Sequence, residues 1–301
     1  LAAYNPESRK GDYRVGNKKY FMAIQKKTAP RDAVKVKAST ESIRVVPLFN
    51  PKTGIKLEDL SSLKEDSELL AMAPPTATPR LVYNHGPLIK NTKVYTIFWG
   101  KNWVSAAAFI TLKNKINEFF TAILTSPLID QLAEYSVTGS AIGHGSLSGT
   151  KVITKGAPKT QINDSLIRTT LSGWITAGTV PPWDANTLYF IYMDKGVKVT
   201  MGGSSSCSSF CGYHDAISGK KYYAVMPFPS CSGCLGGMNV LDAITGTSSH
   251  ELCEAITDPV PPTGWYDNAH GEIGDICAWK FKSVAGFNVQ LEWSNKAKQC
   301  I

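Results

Sequence analysis

Between Thr247 and Cys277 the chain reads TSSHELCEAITDPVPPTGWYDNAHGEIGDIC, and no other stretch restricts the fold as much. On a helix, His250 and Glu254 lie four residues apart and share a face, while Glu251 points to the neighbouring side of the same turn. An imidazole and a carboxylate one turn apart can hold a cation, and the acid between them is left to take a proton from water bound there. Pro259, Pro261 and Pro262 stop such a helix and reverse the chain, so that residues 265–277 can return to it.

The run His250-Glu251-Leu252-Cys253-Glu254-Ala255-Ile256-Thr257-Asp258 resembles the H-E-x-x-H-A-x-T-D helix of thermolysin-like zinc peptidases, the zincins, as an HExxE variant with glutamate at the second histidine. Tyr266, Asn268, Gly271 and Ile273 are similar in spacing to the segment that leads those enzymes to their third, acidic ligand, a register that falls on Asp275 with Glu272 as the nearby alternative. The resemblance implies an α/β (α+β) fold, with a zincin-like mixed sheet and a long active-site helix. It implies one zinc ion held by His250, Glu254 and Asp275, Glu251 as general base, and Tyr266 as donor to the developing oxyanion. The implied reaction is hydrolysis of a protein or peptide substrate by a metal-bound water. One histidine with two carboxylates is a harder ligand set than two histidines with one carboxylate, which leaves other divalent metals open.

A second resemblance covers more of the chain. Residues 84–89 and 94–100 (NHGPLI and VYTIFWG), Phe210-Cys211-Gly212-Tyr213-His214, Cys231-Ser232-Gly233-Cys234 and the late cysteine pair resemble the secreted EXORDIUM, or phosphate-induced, family of plants. It implies an extracellular scaffold. The alternative function it carries is a non-catalytic, cell-wall-associated module that keeps a structural metal site. His214 then belongs either to the loop framework or, with His270, to the groups that donate to a substrate oxyanion.

All seven cysteines lie in the last third of the chain. The C-x3-C and C-x2-C spacings sit among serines and glycines, which favours stapled loops in an oxidising compartment over a zinc knuckle. Cys207, Cys211, Cys231 and Cys234 are expected to pair with one another, in an order that spacing does not decide. Cys277 is expected to pair with Cys300, and Cys253, inside the metal helix, to be a buried free thiol. No segment approaches the ~18 apolar residues of a membrane span. The chain starts at Leu1, consistent with a removed signal peptide and a secreted protein.

The net charge of +8 suggests a polyanion partner until it is divided along the chain. Residues 1–80 carry 15 Lys and Arg against 9 Asp and Glu, and residues 81–301 carry 17 against 15. Without an accompanying nucleic-acid-binding motif the excess reads as a solvated segment, and no nucleic acid partner is expected. Residues 1–80 are expected to be a basic N-terminal extension or the pro-segment of a zymogen. Apolar runs around residues 18–27 and 42–50 suggest strands, residues 57–73 have leucines at helical spacing, and PPTATPR at 74–80 is a linker. Residues 81–301 are expected to form the zincin-like catalytic domain.

Within it, Lys93–Gly100, Thr187–Met193 and Lys221–Met226 read as strands, and KVITK at 151–155 as a short one. Helices are expected from about Ser105 to Tyr135, broken at Pro127, and from Asn163 to Ala177 with Asn163 or Asp164 as cap. Asn163-Asp164-Ser165 is also a glycosylation sequon, for which capping is the simpler explanation. The Gly/Ser stretch at 139–150 is expected to turn. The last helix runs from about Met238 to Thr257, with the metal residues in its middle.

Overall fold

The computed structural model describes residues 78–301 in full and, before them, the backbone of three strands. The chain divides into two compact units, residues 1–41 and 42–301. In the first, β1 (Gly11–Val15) and β2 (Lys18–Met22) form an antiparallel hairpin. The second opens with β3 (Arg44–Pro47). The helix expected at 57–73 and the start of the linker at 74–77 lie outside the described residues.

In chain order there follow β4 (Val82–Tyr83), β5 (Asn91–Trp99), α1 (Asn102–Ser105), α2 (Ala107–Ile123), α3 (Pro127–Leu132), β6 (Gly143–Ile153), β7 (Gln161–Asn163), α4 (Asp164–Thr176) and β8 (Thr187–Met193). Next come β9 (Lys198–Met201), β10 (Ser204–Ser205), β11 (Phe210–Ile217), β12 (Lys221–Met226), α5 (Ser232–Leu235) and α6 (Val240–Thr257). Short strands complete the chain: β13 (Trp265–Tyr266), β14 (Phe281–Val284), β15 (Phe287–Gln290), β16 (Trp293–Ser294) and β17 (Gln299–Cys300).

The fold is mixed α/β. Its centre is a six-stranded sheet in the order β3-β11-β12-β8-β5-β6. β12, β8, β5 and β6 run parallel to one another, while β11 is antiparallel to both β12 and β3. Strand alternation divides the sheet's side chains between two cores. Phe98, Phe190, Tyr192, Ala224 and Met226 face α2, α3 and α6, where Ile116, Phe120, Leu128, Leu252 and Ile256 meet them. Ile97, Tyr189, Ile191, Tyr213 and Val225 face the other side, against Ile167 and Leu171 of α4. Each buried Phe, Leu, Ile, Val or Met among them contributes about 1.5–3 kcal/mol through removal from water.

Two expectations require correction. The Gly/Ser stretch is not a turn region throughout: residues 143–150 are the first part of the 11-residue strand β6. Its register against β5 shifts twice, between Asn91 and Lys93 and between Val94 and Tyr95, and glycines suit such irregular pairing. The other concerns α6, where His250, Glu251 and Glu254 occupy the last two turns and not the middle.

The helix α6 is capped by Asn239, whose side chain accepts from Asp242 N at 3.0 Å. Every residue from Ala243 to Thr257 is buried, so the helix has no solvent face. Its polar side chains are therefore spent on neighbours: Ser248 Oγ lies 2.8 Å from the Tyr192 hydroxyl, and Ser249 Oγ accepts from Gln290 N at 2.8 Å. Asn163 caps α4 by accepting from Leu166 N at 2.8 Å.

Cys207–Cys231 and Cys211–Cys234 tie the approach to β11 to α5, and Cys277–Cys300 closes the C-terminal segment. Cys253 is a free thiol buried on α6. No helix among the described residues is long and apolar enough to cross a membrane.

Candidate metal centre

The last two turns of α6, strand β11 and the loop at 271–277 converge on one buried cluster. The four-residue spacing places His250 Nε2 3.0 Å from Glu254 Oε1. The 3-10 turn at Asp275–Cys277 brings in the third group, with Asp275 Oδ1 4.0 Å from His250 Nε2. Two backbone contacts hold that turn in place: Asp275 N donates to Glu254 Oε1 and Glu272 N donates to Asp275 Oδ2, both at 3.1 Å. The loop can lie this close because residue 274 is glycine. A Cβ there would come within 2.7 Å of His250 Nδ1.

His214 enters from β11, on the sheet face that packs against α6. Its Nδ1 lies 3.1 Å from Glu251 Oε2 and 3.6 Å from Glu254 Oε2. Its Nε2 lies 3.2 Å from the Asp258 carbonyl oxygen and 3.6 Å from Glu272 Oε1. His214 is thus inside the acidic cluster, behind Glu251, and not on the disulfide loop next to it.

Thus His250, Glu254 and Asp275 form one set of possible ligand atoms, and His214, Glu254 and Glu272 a second, each within 4.8 Å of one another. Glu251 shares the cluster without joining either set. Tyr266 is buried on β13, where its strand pairs with β4. His270 is engaged by Asp267, its Nδ1 3.0 Å from Asp267 Oδ1, within its own turn. Two further acids are buried nearby. Asp258, directly after α6, accepts from Gly264 N at 2.7 Å. Glu292 is buried near Cys253, and nothing local in the sequence marks it.

The electrostatics follow from burial against mutual attraction. Burial opposes charge on His250, but the Glu254 carboxylate outweighs it and raises the imidazole well above its ordinary range. At His214 burial is likewise outweighed, by the hydrogen bond and charge of Glu251, which bring it up to about 9. Burial raises Glu251, while at Glu254 the charge and hydrogen bond of His250, the charge of His214 and the Asp275 N–H together overcome burial and hold the carboxylate below its usual value. Burial also lifts Asp258 to about 7 and Glu292 well above the carboxylate range.

The donor set suits a cation. His250 Nδ1, Glu251 Oε1 and Glu254 Oε2 are buried without a hydrogen-bond partner. Such groups cost about 1–3 kcal/mol each when left unsatisfied. Among the described residues no lysine or arginine pairs with Glu251 or Glu254; their ion pairs are with His214 and His250. Imidazole nitrogen and carboxylate oxygen are the ligand types of zinc and of other first-row divalent ions.

No protein-family model matches the chain, and no curated protein is significantly similar to it. Among solved structures the chain is similar to the crystal structure of metalloproteinase-II from Bacteroides fragilis, at 12% identity and a TM-score of 0.26. That match covers 78% of this chain and 64% of the other, so the chain spans under two thirds of that protein's length. At this level of likeness the reading of the site rests on its own residues.

Proposed function

We propose that this protein is a secreted metal-dependent peptidase in which His250, Glu254 and Asp275 hold one divalent ion, zinc by preference, and Glu251 is the general base. The observation that carries the proposal is the divided role of Glu251. Its Oε2 is tied to His214 at 3.1 Å, while its Oε1 has no hydrogen-bond partner. A base needs that arrangement: one oxygen fixed for orientation, the other available for a proton. An ion held there would polarise a carbonyl oxygen and acidify a water.

The chain's own groups supply the remaining functions. Glu251 takes a proton on Oε1 and passes it to the leaving amine, and burial, by raising its pKa, favours the uptake. His214 fixes the carboxylate. Asp275 is the one member of its ligand set with side-chain exposure, at 14%, so substrate approaches from its side. The Tyr266 hydroxyl is assigned to the developing oxyanion. Three disulfides fit an oxidising, extracellular setting. Residues 1–80 are assigned as an extension or pro-segment to a catalytic domain at 81–301.

Complete burial of His214, His250, Glu251 and Glu254 favours a second reading, an extracellular or cell-wall-associated module whose cation is structural. Chelation separates the two. For a peptidase, removing the ion abolishes cleavage of a casein-type substrate and adding zinc restores it. For a module, chelation lowers the unfolding temperature of a protein that cleaves nothing, with or without residues 1–80.

A further inference from the structure

Glu254 presents its two carboxylate oxygens to different histidines. Oε1 lies 3.0 Å from His250 Nε2, and Oε2 lies 3.6 Å from His214 Nδ1. We propose that Glu254 bridges two divalent cations: one between His250, Glu254 Oε1 and Asp275, and a second between His214, Glu254 Oε2 and Glu272. The proposal rests on the metal-centre reading above and adds a second site to it.

Four observations support the second position. The three donors come from three separate elements, β11, α6 and the 271–277 loop, and meet with their ligand atoms within 4.8 Å of one another. All three side chains are fully buried. Glu254 Oε2 faces this group and takes no hydrogen bond, so a second ion would satisfy an otherwise orphaned oxygen. The 3.6 Å between His214 Nε2 and Glu272 Oε1 is close to the spacing of two ligands on one ion, about 3.4 Å for tetrahedral bonds of ~2.1 Å.

The surroundings of His214 also suit a ligand. His214 Nε2 can bind the cation while Nδ1 keeps its present partner, Glu251 Oε2 at 3.1 Å. A ligating histidine with its second nitrogen donating to a carboxylate or a carbonyl is fixed in ring orientation and tautomer. A carboxylate that uses both oxygens holds its two ions about 3.5–4 Å apart, the separation at which paired ions act together on one substrate.

The test is a metal titration of the full chain with zinc, read by elemental analysis, and with manganese, read by electron paramagnetic resonance. Two ions per chain and an exchange-coupled manganese signal are expected. His214→Ala and Glu272→Gln should each drop the count from two to one and leave an isolated-ion signal, with circular dichroism checking the fold. His250→Ala should remove the other ion, and Glu254→Gln should weaken both. One ion in the parent chain, lost in His250→Ala but kept in Glu272→Gln, overturns the second site and leaves the first standing. No bound ion in the parent overturns both, and the manganese signal decides the matter even if His214→Ala does not fold.

Discussion

His214 Nδ1 lies 3.1 Å from Glu251 Oε2, although the two residues come from different elements, β11 and α6. This contact fixes the carboxylate that the proposed mechanism uses as a base. His214→Gln, which retains polarity and loses the ring, should lower kcat of peptide cleavage about 10–100-fold with KM little changed, the scale of losing a group that orients a functional side chain. Steady-state kinetics on a peptide substrate check this, and a change confined to KM would assign His214 to substrate binding.

Chelated protein should become less stable as pH rises. Asp258 titrates at about 7 in the folded chain against 3.8 ordinarily, so the folded state holds its proton more tightly than the unfolded. That contribution is complete below pH 4 and lost as pH climbs to about 7. His214, at about 9 against 6.5, works in the same direction: its contribution is complete below about 6.5 and lost as pH passes 9. Urea denaturation at pH 5 and pH 8 should therefore show falling stability, with a shallower fall for Asp258→Asn. Metal affinity should move the opposite way, because a cation competes with these protons.

Gly274→Ala should disturb the first ion site without touching a ligand. Its Cβ would press on the His250 ring at 2.7 Å, and overpacking of this kind costs about 1–3 kcal/mol. The expected result is a lower unfolding temperature and at least about tenfold weaker metal binding. Unchanged metal affinity would show that the loop yields freely.

Unfolded, unreduced protein should react with one equivalent of thiol reagent, through Cys253, and folded protein with none. Burial raises the thiol well above its ordinary range and hides it. After reduction seven should react. Two or more thiols before reduction would contradict the pairing of Cys207 with Cys231, Cys211 with Cys234 and Cys277 with Cys300.

The legible parts of the chain are those where one local rule suffices. β5, β8 and β12 are runs of aromatic and β-branched residues, and His250 and Glu254 follow from helical spacing alone. β6 was hidden because its Gly/Ser residues carry a turn-like composition while tertiary pairing with β5 holds them extended. α6 has apolar, small and acidic residues buried on all sides, so its surroundings could not be read from an apolar stripe. His214 reaches Glu251 only through the packing of β11 on α6, across 37 positions of sequence, and no local pattern records such a meeting. Glu292 is more remote still.

Glu251→Gln tests the central claim most directly, because it keeps the size of the side chain, removes the base and spares the ligand face. Metal content and peptide hydrolysis should be measured on the same preparations of parent and variant from pH 6 to 10. The account predicts a parent that cleaves peptide and a variant with the parent's metal content whose turnover is lower by about 10²–10⁴-fold. A parent that carries its metal and cleaves no peptide at any of these pH values, or a variant as active as the parent, would contradict it.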